Sequence, residues 1–228
     1  MDISYSVCDA HDHDAAVELL TVAFCHSDPI ERALNITPDE FRVMAQLELE
    51  VALTNGLCLA ARRGGELVGI VIAADSLAES VDGNGRISAK FAPIADIARR
   101  VHDAYLAQRD LQPGSCVYVF MVAVRPDAAG QGIGRALIDA TLRNAREQGY
   151  VSAFSMATNL ASMQAFARCD FRTLELLGYP GYRYRGEAVF ASITDHPGIA
   201  LMERASLAEA QASADAGVAW QPAFRNDL

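Results

Sequence analysis

The sequence predicts an α/β (α+β) fold built on one mixed sheet, and three observations carry that expectation. Strand-like and helix-like patterns alternate along the 228 residues. The run "CVYVFMVAV" at 116–124 is apolar nearly throughout, as expected of a central strand covered on both faces. No segment repeats elsewhere in the chain.

Residues 2–8, "DISYSVC", alternate apolar and polar side chains as a half-buried strand does. After the polar "DAHDHD", Val17, Leu20, Ala23 and Phe24 recur at helical spacing, giving a first helix capped by one of the Asp residues. Thr37-Pro38-Asp39-Glu40 has the capping-box pattern with Pro in the first turn. Phe41, Met44, Leu47 and Val51 extend it into a second helix that ends at Asn55-Gly56. "LCLAARRGGELVGIVIAAD" divides at Arg63-Gly64-Gly65 into the two strands of a hairpin. Asp75 to Lys90 reads as loop, with turn chemistry at Asp82-Gly83-Asn84-Gly85.

Pro93 opens an amphipathic helix with Ile94, Ile97, Val101 and Tyr105 on one face. Beyond the central strand come a helix over 132–147, a strand in "VSAFSMAT", a helix over 159–169, and strands in "FRTLELLGY" and "EAVFASITD". The Ala-rich tail from Ala205 is expected to form a short helix and a loose end, docking through Trp220 and Phe224.

Composition narrows the function classes. With 51% apolar and 21% charged residues the chain is ordinary globular protein. A formal charge of −10 excludes a phosphate-backbone partner such as nucleic acid, which needs concentrated Lys and Arg, and it draws cationic small molecules. No apolar run reaches the roughly 18–20 residues that span a bilayer, so no membrane partner is expected. The N-terminus "MDISYSVCDAHDHD" lacks the basic and apolar regions of a secretory signal, which points to the cytoplasm. Cys8, Cys25, Cys58, Cys116 and Cys169 have no CxxC spacing and read as reduced core fillers. "HDHD" at 11–14 reads as a solvated helix start, because consecutive residues point different ways; no metal is expected. Arg62-Arg63 and Arg99-Arg100 read as solvated surface pairs.

Gly130-Gln131-Gly132-Ile133-Gly134 lies between the buried strand and a helix whose inner face carries Ile133, Leu137, Ile138 and Leu142. Backbone N–H groups there can converge on an anion at the helix N-terminus, and glycine leaves no Cβ to hold a phosphate away. The cluster is also compatible with a tight turn. Neither a Walker lysine nor a GxGxxG with a distal acid accompanies it, so the usual nucleotide sites are excluded.

With its flanks, "VAVRPDAAGQGIGRAL" resembles motif A of the GNAT superfamily of acyl-CoA N-acyltransferases at Val124, Pro126, Gly130, Gly132, Ile133 and Gly134. It departs at Ala129, where the family usually has Arg or Gln. "ATNLASMQAFARCDF" resembles the family's second CoA-contacting helix, with Asn159 at the CoA-contacting position, Phe166 where many members have a tyrosine, and Asp170 for the usual glycine. "YRYRGEAVFASITDHPGIALM" looks like the closing segment of the arylalkylamine (dopamine-type) branch, which also carries a helical insertion before its central strand.

The resemblance implies a GNAT-like, mostly antiparallel twisted sheet of about six to seven strands within residues 1–204. Residues of about 75–114 would form the insertion and 205–228 a C-terminal tail. It implies acetyl-CoA as co-substrate, held by the backbone of Met121, Val122, Ala123 and Val124, by Ala129 to Arg135, and by Asn159 and Phe166. It also implies a small-molecule amine acceptor that attacks the thioester directly, without metal or covalent intermediate. Such an amine must first lose a proton.

By the same resemblance Asp28, then Glu31, is the candidate base, and Ser162 and Thr158 are candidates for the acid side. The residues alone also allow Asp28 to open a Pro-containing turn, Glu31 to face solvent, and Ser162 and Thr158 to cap a helix. Tyr179, Tyr182 and Tyr184 are read as lining an aromatic acceptor pocket, with the alternation at Tyr182 and Tyr184 fitting an edge strand as well. Another acyl donor, a protein or antibiotic amine, and a non-catalytic CoA-binding sensor stay open, as does a homodimer.

Overall fold

The computed structural model describes residues 3–78 and 85–208. One sheet of seven strands organises them, in the order β1-β2-β3-β4-β5-β7-β6. The strands are β1 (Ile3–Val7), β2 (Leu59–Arg63), β3 (Glu66–Asp75), β4 (Cys116–Val124), β5 (Ser152–Ala157), β6 (Arg172–Gly178) and β7 (Gly198–Arg204). Neighbours run antiparallel except β4 and β5, which are parallel. Their crossover is a helix, as a parallel pair requires.

Side-chain alternation sends each strand into two cores. On one face Val71, Ala73, Val117 and Val119 pack against Ile133, Leu137 and Ile138 of α5 (Ile133–Glu147) and Met163 and Phe166 of α6 (Leu160–Ala167). On the other face Ile70, Ile72, Met121 and Ala123 meet α1 (His13–Ser27) and α3 (Pro38–Ala52). A third cluster joins Ile97, Val101 and Tyr105 of α4 (Ala92–Leu106) to Cys116, Phe154, Ile199 and Leu201.

The helix signals act as their chemistry requires. Thr37 and Glu40 close the capping box of α3, Oγ1 accepting from the Glu40 N–H at 3.3 Å and Oε2 accepting from the Thr37 N–H at 2.9 Å. The inner face of α3 departs from expectation: Val51 is 50% exposed, and the buried stripe runs instead through Leu49 and Ala52. Pro29 bars a helical conformation at the residue before it, so Asp28 is extended (φ −78, ψ 130) and ends α1. A short α2 (Pro29–Ala33), which the sequence pattern does not announce, starts immediately after it.

The last strand also differs from expectation. "EAVFASITD" forms turns, with Phe190 and Ile193 buried against Tyr179 and Tyr182, and the strand is the following "GIALMER". Phe190 and Ile193 lie three apart, a turn spacing that plugs one pocket, whereas all five residues of Gly198–Met202 are buried. Tyr182 and Tyr184 therefore belong to this turn region and not to an edge strand. The Tyr182 hydroxyl donates to Asp96 Oδ2 at 2.8 Å and fastens the turns to α4.

The Arg62-Arg63 pair and the "HDHD" segment are less solvated than expected, whereas Arg99 and Arg100 are exposed as expected. Arg62 pairs with the buried Asp12, and Arg63 donates to Gln131 Oε1 at 2.7 Å. All five cysteines are free. Residues 79–84 and 209–228 lie outside the described residues, and with them Asp82, Gly83, Asn84, Trp220 and Phe224.

Candidate active site

The site is built where β4 and β5 part. Their ladder covers only Cys116–Val119 against Ser152–Ser155, closed by Ser155 Oγ donating to the Val119 carbonyl at 2.8 Å. Beyond it β4 continues through Met121, Val122, Ala123 and Val124, paired to Ile72, Val71, Ile70 and Gly69 of β3 alone. The side of β4 turned toward β5 thus offers backbone N–H and C=O groups to an extended ligand. A bulge between Ile72 and Ala73 sits at the point of parting and turns β4 away.

At the far end of β4 the chain makes a short turn, Pro126–Ala128, and enters α5 through an exposed loop. Gly130 (φ 75) and Gly132 (φ 77) are left-handed, a region other L-residues enter at a cost. Gly132 is the N-cap of α5, and no side chain caps that end. The first N–H groups of α5, at Ile133, Gly134 and Arg135, therefore have no partner within the helix, and the helix dipole adds positive potential there. Such an end holds a phosphate through its backbone. Ala129 offers no polar side chain at this end of the helix, while Gln131 is tied by Arg63.

At the C-terminal end of β5 four polar side chains converge. Asp28, 5% exposed, is satisfied on both oxygens. Oδ1 accepts the Ile30 N–H at 3.1 Å, and Oδ2 accepts from Thr158 Oγ1 at 2.5 Å and from Asn159 Nδ2 at 3.3 Å. Glu31, 7% exposed, lies beside it, and its Oε2 is buried with no hydrogen-bond partner. Burial, then the neighbouring Asp28, pushes the Glu31 carboxyl well above the ordinary value of 4.5. Thr158 is clamped from behind, its carbonyl accepting the Tyr179 hydroxyl at 2.5 Å. Burial raises the Tyr179 phenol, with Asp28 and Glu31 adding to it, so the clamp stays a proton donor.

Of the residues singled out in the sequence, the structure brings Asp28, Glu31, Thr158 and Asn159 into one cluster. Glu31 does not face solvent. Asn159 is the N-cap of α6, Oδ1 accepting the Ser162 N–H at 2.9 Å while its amide reaches Asp28. Ser162 completes that cap, its hydroxyl donating to the Asn159 carbonyl at 2.9 Å. Phe166 is buried in the core, its ring 5.0 Å from that of Phe171.

Sequence reasoning misses two features. From the sequence Tyr179 reads as pocket lining, whereas its clamp on Thr158 spans 21 residues. Glu48 stands on α3 seven residues after Phe41 and four after Met44, the spacing of the buried stripe, which is the signal that could have found it. Burial pushes its carboxyl up to about 7; desolvation, with the Glu48 charge adding to it, raises the half-buried Tyr118 phenol. The Tyr118 ring stacks 4.5 Å from Phe154, and His102 of α4 stacks on Phe154 at 5.5 Å. Among the described residues no group of three or more His, Cys, Asp or Glu could hold a metal ion, and no helix is long and apolar enough to cross a membrane.

Solved structures share this architecture. The C-terminal condensation domain of Ebony, solved with β-alanyl-dopamine, matches with a TM-score of 0.82 at 13% identity, over 90% of this chain and 99% of that one. Arylalkylamine N-acetyltransferase 2 from Aedes aegypti gives 0.76 at 19% identity, over 90% and 99%. The polyamine N-acetyltransferase of Drosophila melanogaster gives 0.71 at 20% identity, over 90% and 100%. The model of the Acetyltransferase (GNAT) family matches residues 25–171, the span that holds the acid cluster, the parted strands and the glycine cradle. The chain belongs to the GNAT family of acetyltransferases.

Proposed function

We propose that the protein transfers the acetyl group of acetyl-CoA to a primary amine. The observation that carries the reading is the Asp28 carboxylate, buried at the C-terminal end of β5 beside the gap whose other wall leads along β4 to the cradle. A ligand spanning both needs an anionic end and an extended arm, which CoA has. The backbone N–H groups of Gly130 to Arg135 would hold the pyrophosphate, and Met121 to Val124 would pair with the arm as a strand does. Acetyl-CoA, when bound, supplies the activated acyl thioester.

The protein's own groups handle the protons. An alkylammonium has a pKa of about 10 and cannot attack until it loses a proton. Asp28 is the base placed to take that proton. Thr158 orients it through the hydroxyl bond, and Tyr179 holds Thr158 in register. The Thr158 hydroxyl can return a proton to the leaving thiolate, because the carboxyl it donates to is the one that takes the amine's proton; the Ser162 hydroxyl donates to the Asn159 carbonyl, which has no proton to pass on. Phe166 has no proton to give. The relatives with arylalkylamine and polyamine activities support a small-molecule acceptor.

Isothermal titration with acetyl-CoA, followed by a thiol-release assay over an amine panel, tests the reading. Asp28→Asn is expected to lower kcat/KM for the best amine by about a hundredfold or more, the scale of general-base catalysis, with acetyl-CoA affinity within about threefold. Absence of CoA binding would sink the proposal. Binding without turnover would favour a sensor, and faster turnover with longer acyl donors would change the donor.

A further inference from the structure

Asp28 and Glu31 are three residues apart at the start of α2, so their side chains fall on the same side of the chain. Both are buried, at 5% and 7% exposure, and close enough for the Asp28 charge to help raise the Glu31 carboxyl. Among the described residues no lysine, arginine or histidine pairs with either carboxyl; the partners of Asp28 are a backbone amide, a hydroxyl and a carboxamide. Two ionised carboxylates cannot stay in contact out of water without a cation, so one of the pair retains a proton.

Donor count decides which one. Asp28 receives three donors that favour its anion, whereas Glu31 Oε2 is buried with none. An orphaned oxygen is tolerated far better on a neutral carboxylic acid than on a carboxylate. We infer that Glu31 is a positioning residue of the proposed transfer: a neutral acid that donates its proton to Asp28, so that the buried pair carries one negative charge and matches a single ammonium group. The inference rests on the amine-acceptor reading given above.

Asp28 takes one proton from the ammonium group, whose nitrogen lone pair becomes free to attack; the Glu31 proton stays, and the pair passes from singly charged to neutral. The other titratable groups that face Glu31 do not compensate its charge. Cys25 of α1 is pushed up to about 11 by burial and by Glu31, and the Tyr179 phenol, from the turn after β6, is raised too. Both are neutral at physiological pH.

The test uses the full chain and two variants at Glu31. In a Glu48→Gln background, which removes the other carboxyl protonated near neutral pH, infrared spectroscopy at neutral pH should show a protonated-carboxyl C=O stretch that disappears in Glu31→Gln. In the thiol-release assay Glu31→Leu, which lacks the donor, should lose at least about tenfold in kcat with little change in KM, and Glu31→Gln, which keeps a neutral donor, should recover most of that loss. A missing infrared band, or a Glu31→Gln variant as impaired as Asp28→Asn, overturns the inference and makes Glu31 an ionised base. If the band is present and lost in Glu31→Gln but the wild type acetylates no amine, the neutral acid stands and the amine reading falls. If the wild type turns over an amine while the band is missing, the amine reading stands and the neutral acid falls.

Discussion

The proposed phosphate cradle depends on Gly132. Its φ of 77 is what lets the chain turn from the exposed loop into α5 with N–H groups pointing outward. A β-branched side chain there is strained by about 1–3 kcal/mol whatever the surrounding space, and it crowds the path of a phosphate. Gln131 contributes no such constraint, since its carboxamide is turned to Arg63. Gly132→Val should therefore weaken CoA binding by about tenfold or more in isothermal titration, and Gln131→Ala by less than about threefold. Equal effects would count against a backbone cradle. Asp28 depends on backbone conformation in the same way: Pro29 makes it extended, and being extended it caps α2 with one oxygen and accepts from Thr158 and Asn159 with the other.

At the scale of elements, the parted strands depend on where ladders stop. β4 and β5 share four paired positions, after which β4 belongs to β3 and β5 to β7. β7 can take that place only because it begins with a glycine. A Cβ on Gly198 would lie 2.1 Å from the Leu177 carbonyl oxygen and 2.8 Å from Gly178 Cα, both backbone atoms of β6. Since backbone cannot step aside as a side chain can, Gly198→Ala should cost about 3 kcal/mol, the upper end of overpacking effects, and lower the melting temperature by several degrees. A calorimetric melt within a degree of wild type would show that β6 and β7 pair differently. α4 and the segment after it are secured by β7, with Arg109 Nε 2.8 Å and the Tyr105 hydroxyl 3.0 Å from Glu203 Oε1.

For the whole molecule, buried carboxyls couple stability to pH. Glu48 rises from 4.5 to about 7 on folding, so the folded state binds its proton more tightly than the unfolded chain does. Its contribution is fully present below pH 4.5 and is lost as pH rises through about 7. Glu40 works the other way: bonds to Lys90, Thr37 and Ser88 push it down to about 2, so its contribution is present above 4.5 and fades as pH falls toward 2. Glu48→Gln should therefore gain stability over wild type, on the order of 2 kcal/mol in urea unfolding at pH 8, and little at pH 4.5. The same gain at both pH values would show that Glu48 is not buried as a neutral acid. The net charge of −10 adds a long-range attraction for a cationic acceptor that salt should weaken.

The sequence by itself determined what depends on neighbours along the chain. The Thr37 capping box, the faces of α4 and α5, the hairpin at Gly64-Gly65 and the glycine cluster after β4 are products of local spacing and turn chemistry, and they lie where the residues place them. Asp28-Pro29 and Thr158 were legible too, but only through resemblance to family motifs. Tertiary structure alone decided their meeting, because Asp28 and Thr158 are 130 residues apart and no periodicity encodes their distance. It decided equally that Glu31 is buried and Glu48 half-buried, and that the last strand is "GIALMER". Strand choice and carboxyl burial are settled by which surfaces pack together, and packing partners are remote in sequence.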